Sequence, residues 1–173
     1  MLRQPTFIDG CRCATDACGT FIVMANTLTS ILIHITFSTK NREPMIAADI
    51  RDELFQYMGG VCREMKCVLV HAGGVSDHVH LLISLDKTVC VSDLMMHVKR
   101  ASSGWMKNSR PGQHLFAWQD GYFAFSVGHD DVERVRAYFD GQEEHHARVD
   151  FKTEMETFLK KYGVAFDPKY VWN

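Results

Sequence analysis

The chain has 173 residues, 46% hydrophobic and 23% charged, with a formal net charge of −2. This length suits one domain with a real core, and the composition excludes a disordered, coiled-coil or collagen-like chain. No apolar run reaches the roughly eighteen residues of a membrane span, so a soluble protein is expected, and near-neutral charge confines any polyanion contact to a local patch.

Residues 1–23, "MLRQPTFIDGCRCATDACGTFIV", have no sustained period and precede a second plausible start at Met24. Cys11, Cys13 and Cys18 lack the paired C-x2-C knuckles of structural zinc sites. A non-structural leader is therefore expected over 1–23, with one domain over 24–173. Cys62, Cys67 and Cys90 fall in apolar-patterned segments and read as small buried hydrophobes. With no secretory signal, a reducing cytoplasm is the expected location, without disulfides.

Residues 28–38, "LTSILIHITFS", are rich in β-branched and aromatic side chains and predict a strand. After a polar loop, apolar positions from Ile50 to Met65 recur at helical spacing and predict a helix over 46–65. Residues 67–72 predict a second strand, "GGVSD" a turn, and 78–85 a third strand pairing with the second. Ser92 or Asp93 caps a predicted helix to about Asn108, ended by Pro111-Gly112. Residues 121–127 predict a fourth strand. Asp130 or Asp131 starts a further helix, with a capping box from Asp130 to Glu133, and a last helix covers 153–162. The order strand, helix, strand, strand, helix, strand predicts an α+β, ferredoxin-like (split βαβ) antiparallel sheet with helices on one face and appended C-terminal helices.

Three features carry chemistry. In "SDHVHLLIS", strand alternation puts His78 and His80 on one face and Val79 on the other, core-facing side. Two imidazoles so placed can grip one divalent cation, or can simply occupy a polar sheet face. In "VERVRAYFDGQEEHH", Tyr138 and Gln142 are four apart, one helical turn from each other. A phenol can thus lie beside an amide oxygen, with Glu143, Glu144, His145 and His146 as competing ligands; a solvated helix face fits equally. In "KRASSGWMKNSR", Lys99, Arg100, Lys107 and Arg110 flank Trp105, and "STKNR" adds Lys40, Asn41 and Arg42. Such groups suit a nucleic-acid backbone and a stacked base, or plain surface. Serine-hydrolase and phosphate-loop motifs are absent.

Taken together, "ILIHITFSTKNREP", "SDHVHLLISL", "WQDGYFAFSVGHDDVERVRAYFDGQEEHH" and the terminal "YGVAFDPKYVWN" resemble the single-tyrosine HUH transposases of the insertion sequence 200/605 family, over about 24–173. The resemblance implies His78, His80 and Gln142 as ligands of Mg²⁺ or Mn²⁺, and Tyr138 as the nucleophile that forms a 5′-phosphotyrosine link. It implies DNA hairpins near element ends as substrate, and a homodimer whose tyrosine helix can face the partner's histidine pair. Tyr122 is the rival nucleophile, but its predicted strand makes packing or DNA contact the simpler role. Lys40, Asn41, Arg42, Lys99, Arg100 and Trp105 are the expected DNA-binding groups. Two other functions fit the same fold: a non-catalytic nucleic-acid-binding module, and a domesticated relative processing host palindromic repeats.

Overall fold

The computed structural model describes residues 27–109 and 112–171, together with a two-residue ladder pairing Ala14–Thr15 with Phe21–Ile22. The rest of the expected leader, with Cys11, Cys13 and Cys18, lies outside the described residues, as does Arg110.

Four strands form one antiparallel sheet: β1 Leu32–Ser38, β2 Val68–Gly74, β3 His78–Ser84 and β4 Phe123–Val127. Their spatial order is β2-β3-β1-β4. Helix α1, Ala48–Glu64, joins β1 to β2, and α2, Val91–Ser109, joins β3 to β4. This is the α+β, ferredoxin-like order the sequence predicts.

On one face, Ile33, Ile35 and Phe37 of β1 and Val79, Leu81 and Ile83 of β3 pack beneath Leu54 and Met58 of α1 and Leu94 and Val98 of α2. The appended helices do not trail away. Helices α3 Val132–Asp140, α4 Gln142–His146 and α5 Phe151–Lys161 close the opposite face, where the rings of Phe139 and Phe158 lie 4.9 and 5.3 Å from His34 of β1. A last short helix, α6, covers Pro168–Val171. Covered on both sides, β1 and β3 are buried almost throughout, which explains apolar runs without clean alternation.

Several boundaries differ from expectation. β2 runs on through Gly73 and Gly74, the expected turn. The helix from 130 breaks at Gly141, so Gln142 opens α4 rather than continuing α3; glycine is a poor helix interior residue. The expected capping box does not form: Asp131 is the N-cap of α3 and its side chain makes no cap hydrogen bond. The last helix instead starts at Phe151, where Asp150 accepts from the Thr153 N–H. Helix α2 begins at Val91, ahead of both expected caps. Cys62 and Cys67 are buried thiols as expected, whereas Cys90 is exposed just before α2.

Gly73 sets how closely α3 approaches the sheet. A Cβ there would lie 2.6 Å from the Phe139 carbonyl oxygen and 2.7 Å from its Cβ, distances that packed atoms do not adopt. Gly73→Ala is expected to push α3 outward at a cost of about 1–3 kcal/mol, read as a lower urea midpoint with an unchanged slope.

Candidate active site

His78 and His80 are wholly buried on the β3 face away from α1 and α2. Their β1 neighbours are Ser38 and Thr36, and Gly73 of β2 stands beside His80. Small neighbours leave room above the sheet, and α3 and α5 fill it. The Tyr138 and Phe139 rings lie 5.8 and 5.4 Å from His80, and Phe151 lies 4.7 Å from His78.

Hydrogen bonds fix both imidazoles. The His78 Nδ1–H donates to Asp77 Oδ1 at 2.7 Å. His80 Nδ1 lies 2.9 Å from His34 Nε2, the diagonal neighbour on β1. With both Nδ1 atoms engaged, each ring presents Nε2 to the space under α4 and α5. There Glu154 of α5 and His146 of α4 join them, and the ligand atoms of all four residues lie within 4.8 Å of one another. Gln142 is buried too, with Oε1 3.4 Å from His78 Nε2 and Nε2 3.4 Å from Glu154 Oε1.

Burial dominates the electrostatics. It pushes His34 and His146 down to about 4, with the nearby His78 adding to the effect on His146. It drives His80 well below the ordinary imidazole range, helped by His78 and His34. Glu154 is pushed up to about 8 by burial and by the negative charge of Asp77. For Asp77, burial alone would raise the pKa, but the hydrogen bond and charge of His78 outweigh it and hold the carboxyl low. The result holds His34, His80 and His146 toward their neutral forms beside a Glu154 carboxyl that keeps its proton.

That carboxyl gives a stability prediction. Above an ordinary carboxyl value of 4.5 the unfolded chain's Glu154 ionises, while the folded one keeps its proton until about pH 8. Stability contributed here is therefore present below about pH 4.5 and lost as pH rises through 8. Glu154→Gln cannot ionise. In chelator it should match the wild type at about pH 4.5 and exceed it by roughly 2–4 kcal/mol at about pH 8.5, measured by urea unfolding.

The donors fit a divalent cation. His80 Nε2, His146 Nε2 and Glu154 Oε2 are buried with no hydrogen-bond partner, a costly state for polar atoms. The Gln142 oxygen lies 3.4 Å from His78 Nε2, so a further oxygen donor stands beside these groups.

Tyr138 of α3 stands at the edge of this cluster. Its hydroxyl is buried without a hydrogen-bond partner, and its ring lies 5.6 Å from His145. Tyr138, His145, Glu154 and Phe158 line a cavity of about 420 Å³. Tyr122 stands just ahead of β4, about one-third exposed, beside a separate cavity of about 210 Å³.

The basic groups divide. Lys40, Asn41 and Arg42 form an exposed turn, in which Asn41 and Arg42 hold left-handed φ values of 55° and 57°, a strain rare outside glycine. Arg42, with Arg51 of α1, lines a cavity of about 470 Å³ that also touches Asp77 and His146. Lys99 Nζ donates to the carbonyls of Gln119 and Gly121 at 2.5 and 2.6 Å, fastening that loop. Arg100 is exposed, and Trp105 stacks on Tyr57 at 5.4 Å. These last three ride on α2, across the sheet from the histidines.

Of the expected groups, His78, His80, Gln142 and Tyr138 come together, with His146 from the competing set. Glu143 instead pairs with Arg51 at 2.8 Å. Asp77, His34, Arg51 and Glu154 had not been singled out. Asp77 precedes the histidine pair, and His34 shares the face of Thr36 on β1. Glu154 is a carboxylate at a core-facing position of an otherwise apolar stripe, between Phe151 and Phe158.

A family model described as "Transposase IS200 like" matches residues 27–142. No curated protein matches the sequence significantly. Two solved structures share the fold. One is a chain from Deinococcus radiodurans R1 assigned as a transposase, 20% identical with a TM-score of 0.54, covering 68% of this chain and 94% of its own. The other is a REP-associated tyrosine transposase bound to a REP hairpin, 13% identical with a TM-score of 0.54, covering 75% of this chain and 76% of its own. Among the described residues, no helix is long and apolar enough to cross a membrane.

Proposed function

The chain belongs to the IS200-like transposase family, and from that premise we propose that it cleaves and rejoins single-stranded DNA through a covalent Tyr138–phosphate bond. The observation that carries the proposal is the unpartnered Tyr138 hydroxyl on the helix packed over the histidine pair. The phenolic oxygen attacks the scissile phosphorus, forming a 5′-phosphotyrosine and releasing a 3′-hydroxyl. Attack by a 3′-hydroxyl reverses the step and frees the tyrosine, so joining needs no nucleotide cofactor.

His78, His80 and Gln142 would hold the divalent cation, Mg²⁺ or Mn²⁺, which would supply positive charge to the phosphate oxygens. Asp77 accepts from the His78 Nδ1–H and His34 Nε2 engages His80 Nδ1, contacts that support Nε2 of each ring as the ligand atom. The DNA backbone meets Lys40, Asn41 and Arg42 at the mouth of the cluster, with Arg51 behind them. Lys99 acts through the Gln119–Gly121 loop it fastens, while Arg100 and Trp105 serve DNA lying along α2. The substrate is a single-stranded DNA hairpin, supported by the REP hairpin held by one protein of the same fold. The protein acts as a homodimer in the cytoplasm. The Tyr138 ring lies 5.8 Å from His80 of the same chain, which supports a centre assembled within each copy.

The test is a labelled single-stranded hairpin incubated with the protein and Mn²⁺. An adduct that survives denaturing electrophoresis and is absent in chelator is expected. Free cleavage products without any adduct would contradict the tyrosine mechanism, and hairpin binding without cleavage would favour the non-catalytic alternative.

A further inference from the structure

We propose that Glu154 and His146, from the C-terminal helices, are additional ligands of the cation held by His78 and His80, making a one-chain site that prefers Mn²⁺ to Mg²⁺ and fills before DNA arrives. The use of the cation rests on the cleavage proposal above; its binding does not.

Four side chains from three elements converge: two from β3, one from α4 and one from α5. Glu154 is 4% exposed, yet its two oxygens face four imidazoles. The fourth is His145, whose Nε2 lies 3.8 Å from Oε1 but whose ring is turned toward Tyr138. Oε2 lies 3.2 Å from His146 Nε2 and 4.0 Å from His78 Nε2, and Oε1 lies 3.7 Å from His80 Nε2. Neither His80 Nε2 nor His146 Nε2 nor Glu154 Oε2 has a hydrogen-bond partner. Oε1 accepts from Gln142 Nε2 at 3.4 Å, which leaves Oε2, beside His146 and His78, as the oxygen without a partner.

The donor set also selects the metal. Mg²⁺ prefers oxygen ligands and keeps its waters, whereas first-row transition ions accept imidazole nitrogen with an affinity that starts at Mn²⁺ and rises toward the later ions. Three imidazoles, one carboxylate and the Gln142 oxygen are a nitrogen-rich set for Mg²⁺. The carboxylate adds a negative charge that an amide cannot, so the site can hold its ion without help from a phosphate. Every ligand comes from one chain, and none waits on a second copy or on DNA.

Calorimetric titration of the metal-free full chain without DNA tests this. Mn²⁺ is expected to bind one-to-one, at least about tenfold tighter than Mg²⁺. Glu154→Gln should weaken Mn²⁺ binding by roughly 10–100-fold and His146→Ala by about tenfold, magnitudes seen when metal-site groups are removed. Glu154→Asp should recover part of the loss. Mn²⁺ affinity unchanged in Glu154→Gln would overturn the proposal whatever the adduct assay gives. Tight binding in the wild type with no adduct would overturn the cleavage reading alone. Spin-echo spectra of the Mn²⁺-loaded wild type do not depend on a variant: three imidazole nitrogens are expected, and two or fewer would overturn the three-imidazole set.

Discussion

Tyr138→Phe is expected to lose covalent adduct formation by at least about 10³-fold, because no oxygen remains to attack the phosphate. The variant should keep its fold. The missing hydroxyl is buried and unpartnered, so its removal leaves no donor or acceptor stranded and should leave the melting temperature equal or slightly higher. The phenyl ring retains the contacts with His80 and Phe158. Mn²⁺ binding should be unchanged, since the cation donors lie on β3, α4 and α5. Loss of adduct with intact metal binding separates the nucleophile from the metal site. An adduct that persists in Tyr138→Phe would redirect attention to Tyr122.

His80→Ala is the second large effect. The ring lies at the centre of the cluster, fully buried, flanked by Thr36 and Gly73. Adduct formation should fall by at least about 10²–10³-fold, as expected when the electrostatic stabilisation supplied through a cation ligand is removed. In chelator the truncation should cost about 1–3 kcal/mol from the cavity it leaves, partly offset by removal of the unpartnered Nε2. The sharper reading is linkage. Wild-type protein in Mn²⁺ at about a hundred times its dissociation constant should gain roughly 2.7 kcal/mol, and His80→Ala should gain almost none. A full thermal shift in His80→Ala would place the cation elsewhere.

The fold was legible in the sequence because its signals are local. Strand runs such as "LIHITFS" and "HVHLLIS", and the helical spacing from Ile50 to Val61, each bury a face within one element. What the sequence hid was the second layer. That α3, α4 and α5 would close over the histidine face depends on a backbone approach at Gly73, and glycine in "AGGVSD" reads as turn rather than as space for a helix. The break at Gly141 was hidden for a related reason, since a single glycine is tolerated in many helices.

The site was legible in the same partial way. The histidine pair follows from alternation alone, and Tyr138 with Gln142 from spacing, with the family resemblance giving both a role. Glu154 lies 74 residues after His80 and belongs to a helix whose stripe reads as ordinary core. Only three-dimensional packing brings its carboxyl to 3.7 Å from His80. The basic residues differ: the run from Lys99 to Arg110 reads in the sequence as either a DNA-facing strip or plain surface, and only the packing shows that α2 lies across the sheet from the histidines and that Lys99 binds two carbonyls.

The most direct test of the central claim is mass-spectrometric mapping of the wild-type adduct, formed with a single-stranded hairpin and Mn²⁺ and then digested to peptides. The nucleotide should be found on Tyr138, linked through a 5′-phosphate. A nucleotide on Tyr122, or on any other residue, would contradict the account.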